Sequence, residues 1–175
     1  MRVFIRTLGC PKNEVDSDLL ARHLEAQGHW MVSRPSDADW VVVNTCGFID
    51  RAKEESIDAL LGVVAAKRPG QRVAAVGCLA ERYGDRLAAE IPELDLTLGV
   101  KQMFQLDAML PKPQLPSPGG PRPSQAGLRP RGPSAYLKIA DGCSAACAFC
   151  IIPQIKGSYC SLPPESILSE ARRRA

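Results

Sequence analysis

The chain has 175 residues, a net charge of +3, and 45% apolar and 23% charged residues, an ordinary globular composition. A net charge this small does not produce an electrostatic field strong enough to attract a polyanion such as a nucleic acid. The longest apolar stretch, near ALLGVVAA, is far too short to span a bilayer. Because MRVFIRTLGC lacks a signal-peptide pattern, we expect a cytoplasmic protein whose seven cysteines serve metal ligation or catalysis rather than disulfides.

Residues 1–110 alternate short β-rich runs with helical patterns, which predicts an α/β domain. The predicted strands are 3–9, 30–35, 40–47, 72–78 and 95–100, and the predicted helices are 13–28, 50–68, 81–91 and 101–110. The run WVVVNTCG is continuously apolar and β-branched at its start, as expected for a parallel strand covered on both faces. We therefore expect an open, mostly parallel sheet with flanking helices, and the strand order stays open.

Residues 111–134 are predicted to be an interdomain linker, because they hold eight of the fifteen prolines and four glycines. Residues 135–175 begin a second domain. There we expect a strand at 135–142, a cysteine-bearing loop, and a helix that starts near the prolines of PPESILSEARRRA. One such β-loop-α unit cannot bury its own apolar face, so we expect the chain to be a portion of something longer.

Cys143, Cys147 and Cys150 form the pattern C-x-x-x-C-x-x-C in that loop. A cubane iron–sulfur cluster has four irons, so three thiolates can leave one iron open for a substrate or cofactor. Cys160 is left over. It is either a fourth ligand that closes a zinc or iron–sulfur site or, as we favour, an incidental cysteine.

A second set of cysteines is scattered along the first domain. Cys10, Cys46 and Cys78 each lie at or just past the end of a predicted strand, in RTLGC, VVVNTC and AAVGC. Ligands bind outside the carboxyl ends of strands in open α/β sheets, so the three thiols converge if their strands are neighbours. The alternative is that all three are small buried apolar residues, which free cysteines often are.

Four stretches resemble the radical SAM methylthiotransferases: LGCPKNEVDSD, NTCGFIDRAKEES, VGCLAERY and AYLKIADGCSAACAFCIIP. The motifs CPKN and NTCGFI are similar to those of the RimO branch, which modifies a ribosomal protein. The tRNA-modifying MiaB branch usually has motifs closer to GCQMN and NTCSVR at these positions. The resemblance covers most of residues 1–110 and 135–163, and it identifies 135–175 as the start of a radical SAM barrel.

The resemblance implies two [4Fe–4S] clusters and S-adenosylmethionine as cofactors. Cys143, Cys147 and Cys150 would hold the cluster that binds S-adenosylmethionine, and Cys10, Cys46 and Cys78 would hold an auxiliary cluster. The implied reaction is methylthiolation of the β-carbon of an aspartate in the twelfth small-subunit ribosomal protein. The implied partner is that protein, with RNA contacted through a further C-terminal domain. No other catalytic residue is assigned.

The resemblance implies that this chain alone does not turn over, because the later strands that grip S-adenosylmethionine lie beyond Ala175. Two other functions stay open, a tRNA methylthiotransferase and a non-catalytic iron–sulfur or zinc protein. The residues beside Cys10 also leave two readings. Lys12 and Asn13 either hydrogen-bond near the cluster, or Asn13 simply caps the helix that begins there.

Overall fold

A computed structural model describes residues 1–111 and 134–174 of the chain. The contacts within it divide the chain into two compact units, Met1–Gly127 and Leu128–Ala175. The boundary between the units and most of the predicted linker lie outside the described residues, so the predicted domain limits stay predictions. Among the helices of the described residues, none combines the length and apolar character needed to cross a membrane.

The first unit alternates strands and helices. Its strands are β1 (Arg2–Thr7), β2 (Trp30–Met31), β3 (Trp40–Thr45), β4 (Arg72–Gly77) and β5 (Leu96–Gly99). Its α-helices are α1 (Pro11–Ala26), α2 (Asp50–Ala65), α3 (Cys78–Glu90) and the single turn α4 (Leu106–Met109), with 3₁₀ turns at Pro35–Asp37 and Met103–Gln105. The five strands form one sheet in the order β2-β1-β3-β4-β5, and every pairing is parallel. The predicted α/β class is therefore confirmed, and the structure supplies the strand order.

Both faces of the sheet are covered by helices. One apolar cluster joins Val42 of β3 to Leu20 of α1 and Leu106 of α4, and the other joins Val41 of β3 to Leu60 of α2 and Leu79 of α3. Successive residues of β3 thus enter opposite clusters, as the alternation of side chains along a strand requires. Because both clusters are buried, this central strand is apolar at successive positions rather than at every second one.

Several predicted bounds in the first unit are wrong. The strand predicted at 30–35 is only Trp30–Met31. The segment predicted as a helix at 101–110 is a 3₁₀ turn followed by one α-helical turn. Met103 and Leu106 of these two turns both lie in the core, and Pro111 follows directly after the segment. The helix predicted from residue 81 begins at Cys78. Gly77, with φ of +97°, turns the chain directly from β4 into α3, so no loop separates strand from helix.

The second unit contains β6 (Ala140–Asp141), α5 (Ile152–Lys156), β7 (Cys160–Ser161) and α6 (Pro164–Arg174). The strand predicted at 135–142 is wrong in extent, because only Ala140 and Asp141 are β-structure and their partner is the antiparallel β7. The Leu162 amide extends this pairing by donating to the Ile139 carbonyl at 2.9 Å. The described residues thus contain a shorter strand, the cysteine loop and the predicted final helix, with α5 and β7 lying between the loop and that helix. The start of a barrel stays a prediction.

Asp95 ties together the amino ends of two strands of the first unit. Its carboxylate accepts hydrogen bonds from the Lys67 ammonium at 2.6 Å and from the Val73 amide at 2.8 Å. Burial alone would raise the pKa of Asp95, but these two donors and the nearby charge of Arg72 hold that pKa below its usual value. The ionised carboxylate thus stabilises the junction of α2, β4 and β5.

We predict that Asp95→Asn lowers the free energy of unfolding by about 1.5–3 kcal/mol at pH 7, the range for hydrogen bonds to charged groups. A carboxyl group with a depressed pKa stabilises the fold above its unfolded pKa. Its contribution is lost as the pH falls below about 4, so the difference between the variants should shrink there. Urea titration at both pH values measures it, with Asp58→Asn on the exposed face of α2 as the control. Equal losses in the two variants would contradict the assignment.

Candidate metal centre

Cys10, Cys46 and Cys78 lie at the carboxyl ends of three neighbouring parallel strands. Strand β3 lies between β1 and β4, with Thr7 opposite Asn44 and Thr45 opposite Gly77. Cys10 precedes α1 as its N-cap residue, Cys46 directly follows β3, and Cys78 is the first residue of α3. The three strands are neighbours, as convergence of the cysteine-bearing segments requires. The segments leave the sheet at its carboxyl edge, where open α/β folds bind ligands.

Two glycines allow the three segments to approach one another. A Cβ atom on Gly9 would lie 2.5 Å from the Cys46 Cβ and 2.8 Å from its Sγ, so a larger residue cannot fit there. A Cβ on Gly47 would lie 2.8 Å from the Cα of Leu79, at the start of α3. Gly9 also has φ of +89°, a conformation that side chains with a Cβ rarely adopt. The Cys10 loop therefore packs against Cys46, and the Cys46 loop packs against the Cys78 segment.

Buried polar side chains fill the space under these loops. Asn13 is 1% exposed, and its side-chain amide donates to the carbonyls of Leu8 at 2.8 Å and Thr45 at 3.2 Å. The Cys78 thiol donates to Asn13 Oδ1 at 3.8 Å. Because α1 has no side-chain cap, plain N-capping by Asn13 is wrong, and the side chain instead lies among the three cysteine-bearing segments.

A second polar group continues this network. The Asn44 amide donates to the Asn13 carbonyl at 3.0 Å and to the Ser17 hydroxyl at 2.8 Å, and the Thr7 hydroxyl also bonds Ser17. On the other side of the sheet, Ser56 of α2 accepts from the Cys46 amide and donates to the Cys46 carbonyl, both at 2.9 Å. These residues satisfy backbone and side-chain groups that are removed from water.

Sequence reasoning did not single out Asn44, Ser17 or Ser56. A signal was present in the run VVVNTC, where two polar residues follow three valines inside a strand that is buried throughout. A buried polar residue needs a partner, so Asn44 and Thr45 point to a hydrogen-bonded site at the strand end. Ser17 and Ser56 lie on helices and carry no comparable signal.

The donor chemistry of the site fits an iron–sulfur cluster. Three thiols lie at the ends of β1, β3 and β4, and thiolates are the ligands of iron–sulfur clusters. Cys46 and Cys78 are buried, while Cys10 is exposed. Across residues 1–111 and 134–174, no three His, Cys, Asp or Glu side chains stand close enough to hold a single metal ion. The fit therefore lies in donor identity and in backbone placement.

The second cysteine set lies in the loop between β6 and α5. The Cys150 amide donates to the Cys147 carbonyl at 3.1 Å, and the Cys143 amide donates to the Gly157 carbonyl at 3.1 Å. Cys143 and Cys150 are partly buried, while Cys147 is exposed. Donor identity again fits a cluster, since the loop carries three thiols within eight residues of sequence. Cys160 lies outside the loop in β7, with its thiol exposed and with Asp141, two residues before Cys143, as its register partner.

An ion pair holds the start of this loop. Lys138 contacts the Asp141 carboxylate at 2.5 Å, and the Gly142 amide donates to the same side chain at 3.0 Å. Burial alone would raise the pKa of Asp141, but Lys138 and the charge of Lys156 hold that pKa below its usual value. The negative charge beside Cys143 is thus neutralised by two lysines.

Comparison with known proteins covers the part of the chain that carries the first cysteine set. Residues 2–99 match the model of a family described as "Uncharacterized protein family UPF0004". The match contains β1 to β5 and all three cysteines of the first set. It therefore covers more than half of the chain.

The chain is also similar to proteins named "Ribosomal protein uS12 methylthiotransferase RimO". It is 40% identical to those of Anaeromyxobacter sp. and Myxococcus xanthus, with 97% and 99% of this chain and 38% of each relative covered. It is 41% identical to that of Roseiflexus castenholzii, with 100% of this chain and 43% of the relative covered. The chain thus spans well under half the length of these relatives. The predicted resemblance to the amino-terminal portion of RimO-type methylthiotransferases is confirmed.

We predict that Gly9→Ala is more destabilising than Gly70→Ala. Both glycines have positive φ, +89° and +79°, so both substitutions carry the left-handed strain of about 1 kcal/mol. Only Gly9 faces Cys46, whereas a Cβ on Gly70 meets no atom within 4 Å. Overpacking against Cys46 should add about 1–3 kcal/mol to the loss. Urea unfolding of both variants measures the difference, and equal losses would show that the Cys10 loop does not pack on Cys46.

Proposed function

Because this chain belongs to the family described as UPF0004, we propose that it is the amino-terminal portion of a RimO-type methylthiotransferase that uses two iron–sulfur clusters. The observation that carries the proposal is the placement of Cys10, Cys46 and Cys78 at the ends of adjacent parallel strands. That placement accounts for thiols 36 and 32 residues apart in sequence serving one site (from 10 to 46 and from 46 to 78).

In this proposal the two cysteine sets have separate roles. Cys143, Cys147 and Cys150 hold the cluster that binds S-adenosylmethionine, and Cys10, Cys46 and Cys78 hold the auxiliary cluster. When bound, these groups supply the one-electron chemistry and the sulfur that the reaction requires. The chain itself supplies three thiolates to each site, and it must release the thiol protons as the ligands bind.

The residues around Cys46 and Cys78 keep that part of the first site ordered and away from water, while Cys10 is exposed. Cys46 and Cys78 are 6% and 8% exposed, and the apolar cluster that contains Leu79 lies beneath them. The Ser56 hydroxyl satisfies both backbone polar groups of Cys46, so the Cys46 backbone is held without water. Burial of this kind limits solvent access, which is one of the ways a protein sets the properties of a cluster.

The proposed substrate is an aspartate of the small-subunit ribosomal protein, modified at its β-carbon. The name carried by the relatives, which specifies ribosomal protein uS12, supports this choice. The identity of about 40% over nearly the whole chain supports the same branch. The same reaction on tRNA is the alternative that a substrate test must separate.

We predict that each triple substitution of cysteines removes one cluster and leaves the other. After anaerobic reconstitution, the parent chain should hold roughly eight irons with matching acid-labile sulfide, four per cluster. Replacing Cys143, Cys147 and Cys150 by Ala should halve both, and so should replacing Cys10, Cys46 and Cys78. Iron and sulfide assays with Mössbauer spectra measure this.

Cys160→Ala is the matched control, and it should leave iron and sulfide unchanged. Loss of all iron from either triple variant would contradict two independent sites. Zinc without sulfide in the parent chain would instead support a non-catalytic zinc protein. Loss of one cluster from Cys160→Ala would make Cys160 a ligand.

We predict that deleting the gene from its source organism removes the methylthio group from ribosomal protein uS12. Mass spectrometry of ribosomal proteins from the deletion and parent strains measures it, and re-expression of the gene with Cys10, Cys46 and Cys78 replaced should not restore the group. Loss of methylthio groups from tRNA, with uS12 unchanged, would assign the tRNA reaction and contradict the proposed substrate.

A further inference from the structure

We infer that Asn13 is the positioning residue of the first cysteine site, through one buried amide that fixes the three cysteine-bearing segments relative to one another. The inference rests on the proposed function for what the site holds. It goes beyond that function by assigning the assembly of the site to a side chain that is not itself a ligand.

The donor end of the amide joins two of the segments. Its Nδ2 atom donates to the Leu8 carbonyl at 2.8 Å and to the Thr45 carbonyl at 3.2 Å. Leu8 is two residues before Cys10, and Thr45 is the residue before Cys46. Leu8 lies one residue beyond the last register pair of β1, and Thr45 forms the last register pair of β3 with Gly77 of β4. The amide therefore supplies donors at the point where the strands give way to cysteine loops.

The acceptor end joins the third segment. With two carbonyl oxygens facing the NH₂ group, the amide can adopt only one orientation, since a flip would place oxygen against oxygen. Oδ1 must then point away from both carbonyls, and in the chain without a cluster it accepts from the Cys78 thiol at 3.8 Å. A thiolate ligand has no proton to donate, so in the loaded site the two bonds from Nδ2 to the Leu8 and Thr45 carbonyls are the ones that remain. One side chain thus contacts the exit of β1, the exit of β3 and the first residue of α3.

The backbone of Asn13 is itself fixed. Its amide donates to the Cys10 carbonyl at 2.9 Å in the first turn of α1, and its carbonyl accepts from the Asn44 side chain at 3.0 Å. The residue is 1% exposed, so water cannot substitute for a lost partner. Removing the amide leaves two buried carbonyls without that donor, which costs more than an exposed hydrogen bond does.

Ser17 provides a matched control in the same helix. It is fully buried, and its hydroxyl joins Thr7 to Asn44 in the same network. It bonds neither a cysteine nor the Leu8 and Thr45 carbonyls that Asn13 holds. Ser17→Ala therefore opens the network at a comparable depth, and it leaves the three-way amide bridge in place.

The first test measures iron at the first site alone. The chain with Cys143, Cys147 and Cys150 replaced by Ala is reconstituted anaerobically with iron and sulfide, so that all iron reports on Cys10, Cys46 and Cys78. In this background Asn13→Ala should weaken iron retention against a chelator roughly tenfold or more, as changes beside metal ligands typically do. Ser17→Ala should retain iron within roughly twofold of the parent, because its partners are not at the ligands.

The second test needs no cluster. In the chain without iron, the alkylation rates of Cys46 and Cys78 by iodoacetamide are followed by mass spectrometry of the digested protein. Asn13→Ala should raise both rates roughly tenfold, since losing the buried bridge favours local opening of the loops. Ser17→Ala should raise both alkylation rates far less than Asn13→Ala does. Urea unfolding of the two variants measures their global stability, so that the rates are compared at equal stability. If Asn13→Ala does not fold, Asn13→Ser, which is too short to span the bridge, is measured in its place.

The outcomes separate the inference from the function on which it rests. If the parent background takes up no iron, the proposed cluster site fails, while the alkylation rates still decide the role of Asn13. Equal effects of Asn13→Ala and Ser17→Ala on iron retention and on alkylation would overturn the inference, because Asn13 would then contribute to folding alone. A selective effect of Asn13→Ala on Cys46 and Cys78 supports it.

Discussion

Parallel pairing of β1, β3 and β4 is the constraint on which the first site depends. In a parallel sheet all strands point the same way, so the segments that leave their carboxyl ends emerge at one edge. The register brings Thr7 opposite Asn44 and Thr45 opposite Gly77, and this places the three cysteine segments side by side. An antiparallel neighbour at either position would send its cysteine to the opposite edge.

Buried backbone carbonyls at that edge need hydrogen-bond donors, and the buried polar side chains supply them. Where ladder pairing stops, strand carbonyls are still removed from water, and each needs a donor. Asn13 supplies donors to Leu8 and Thr45, and Ser56 satisfies the backbone of Cys46. The interior is apolar in the middle of the sheet and becomes polar at the cysteine end, within the single strand VVVNT. The change in composition along β3 therefore marks the site.

Much of this was predictable from local sequence. The strands around Val41 and Val73, the helices around Leu20 and Leu60, and the strand-end positions of the cysteines follow from periodicity and residue type. The strand order β2-β1-β3-β4-β5 was not predictable from local sequence, since it depends on contacts between distant segments. The same holds for Asn13, whose partners Thr45 and Cys78 are 32 and 65 residues away. The strand predicted at 135–142 failed because its apolar pattern identifies no pairing partner.

The two cysteine sets differ in what their geometry requires. The second set lies in one loop, whose backbone contacts, from Cys143 to Gly157 and from Cys150 to Cys147, span short sequence distances. Such contacts form with little loss of chain entropy. The first set requires β1, β3 and β4 to be paired before Cys10, Cys46 and Cys78 can approach. Formation of the first site is therefore coupled to folding of the whole sheet, and a change far from the cysteines that weakens the sheet also weakens the site.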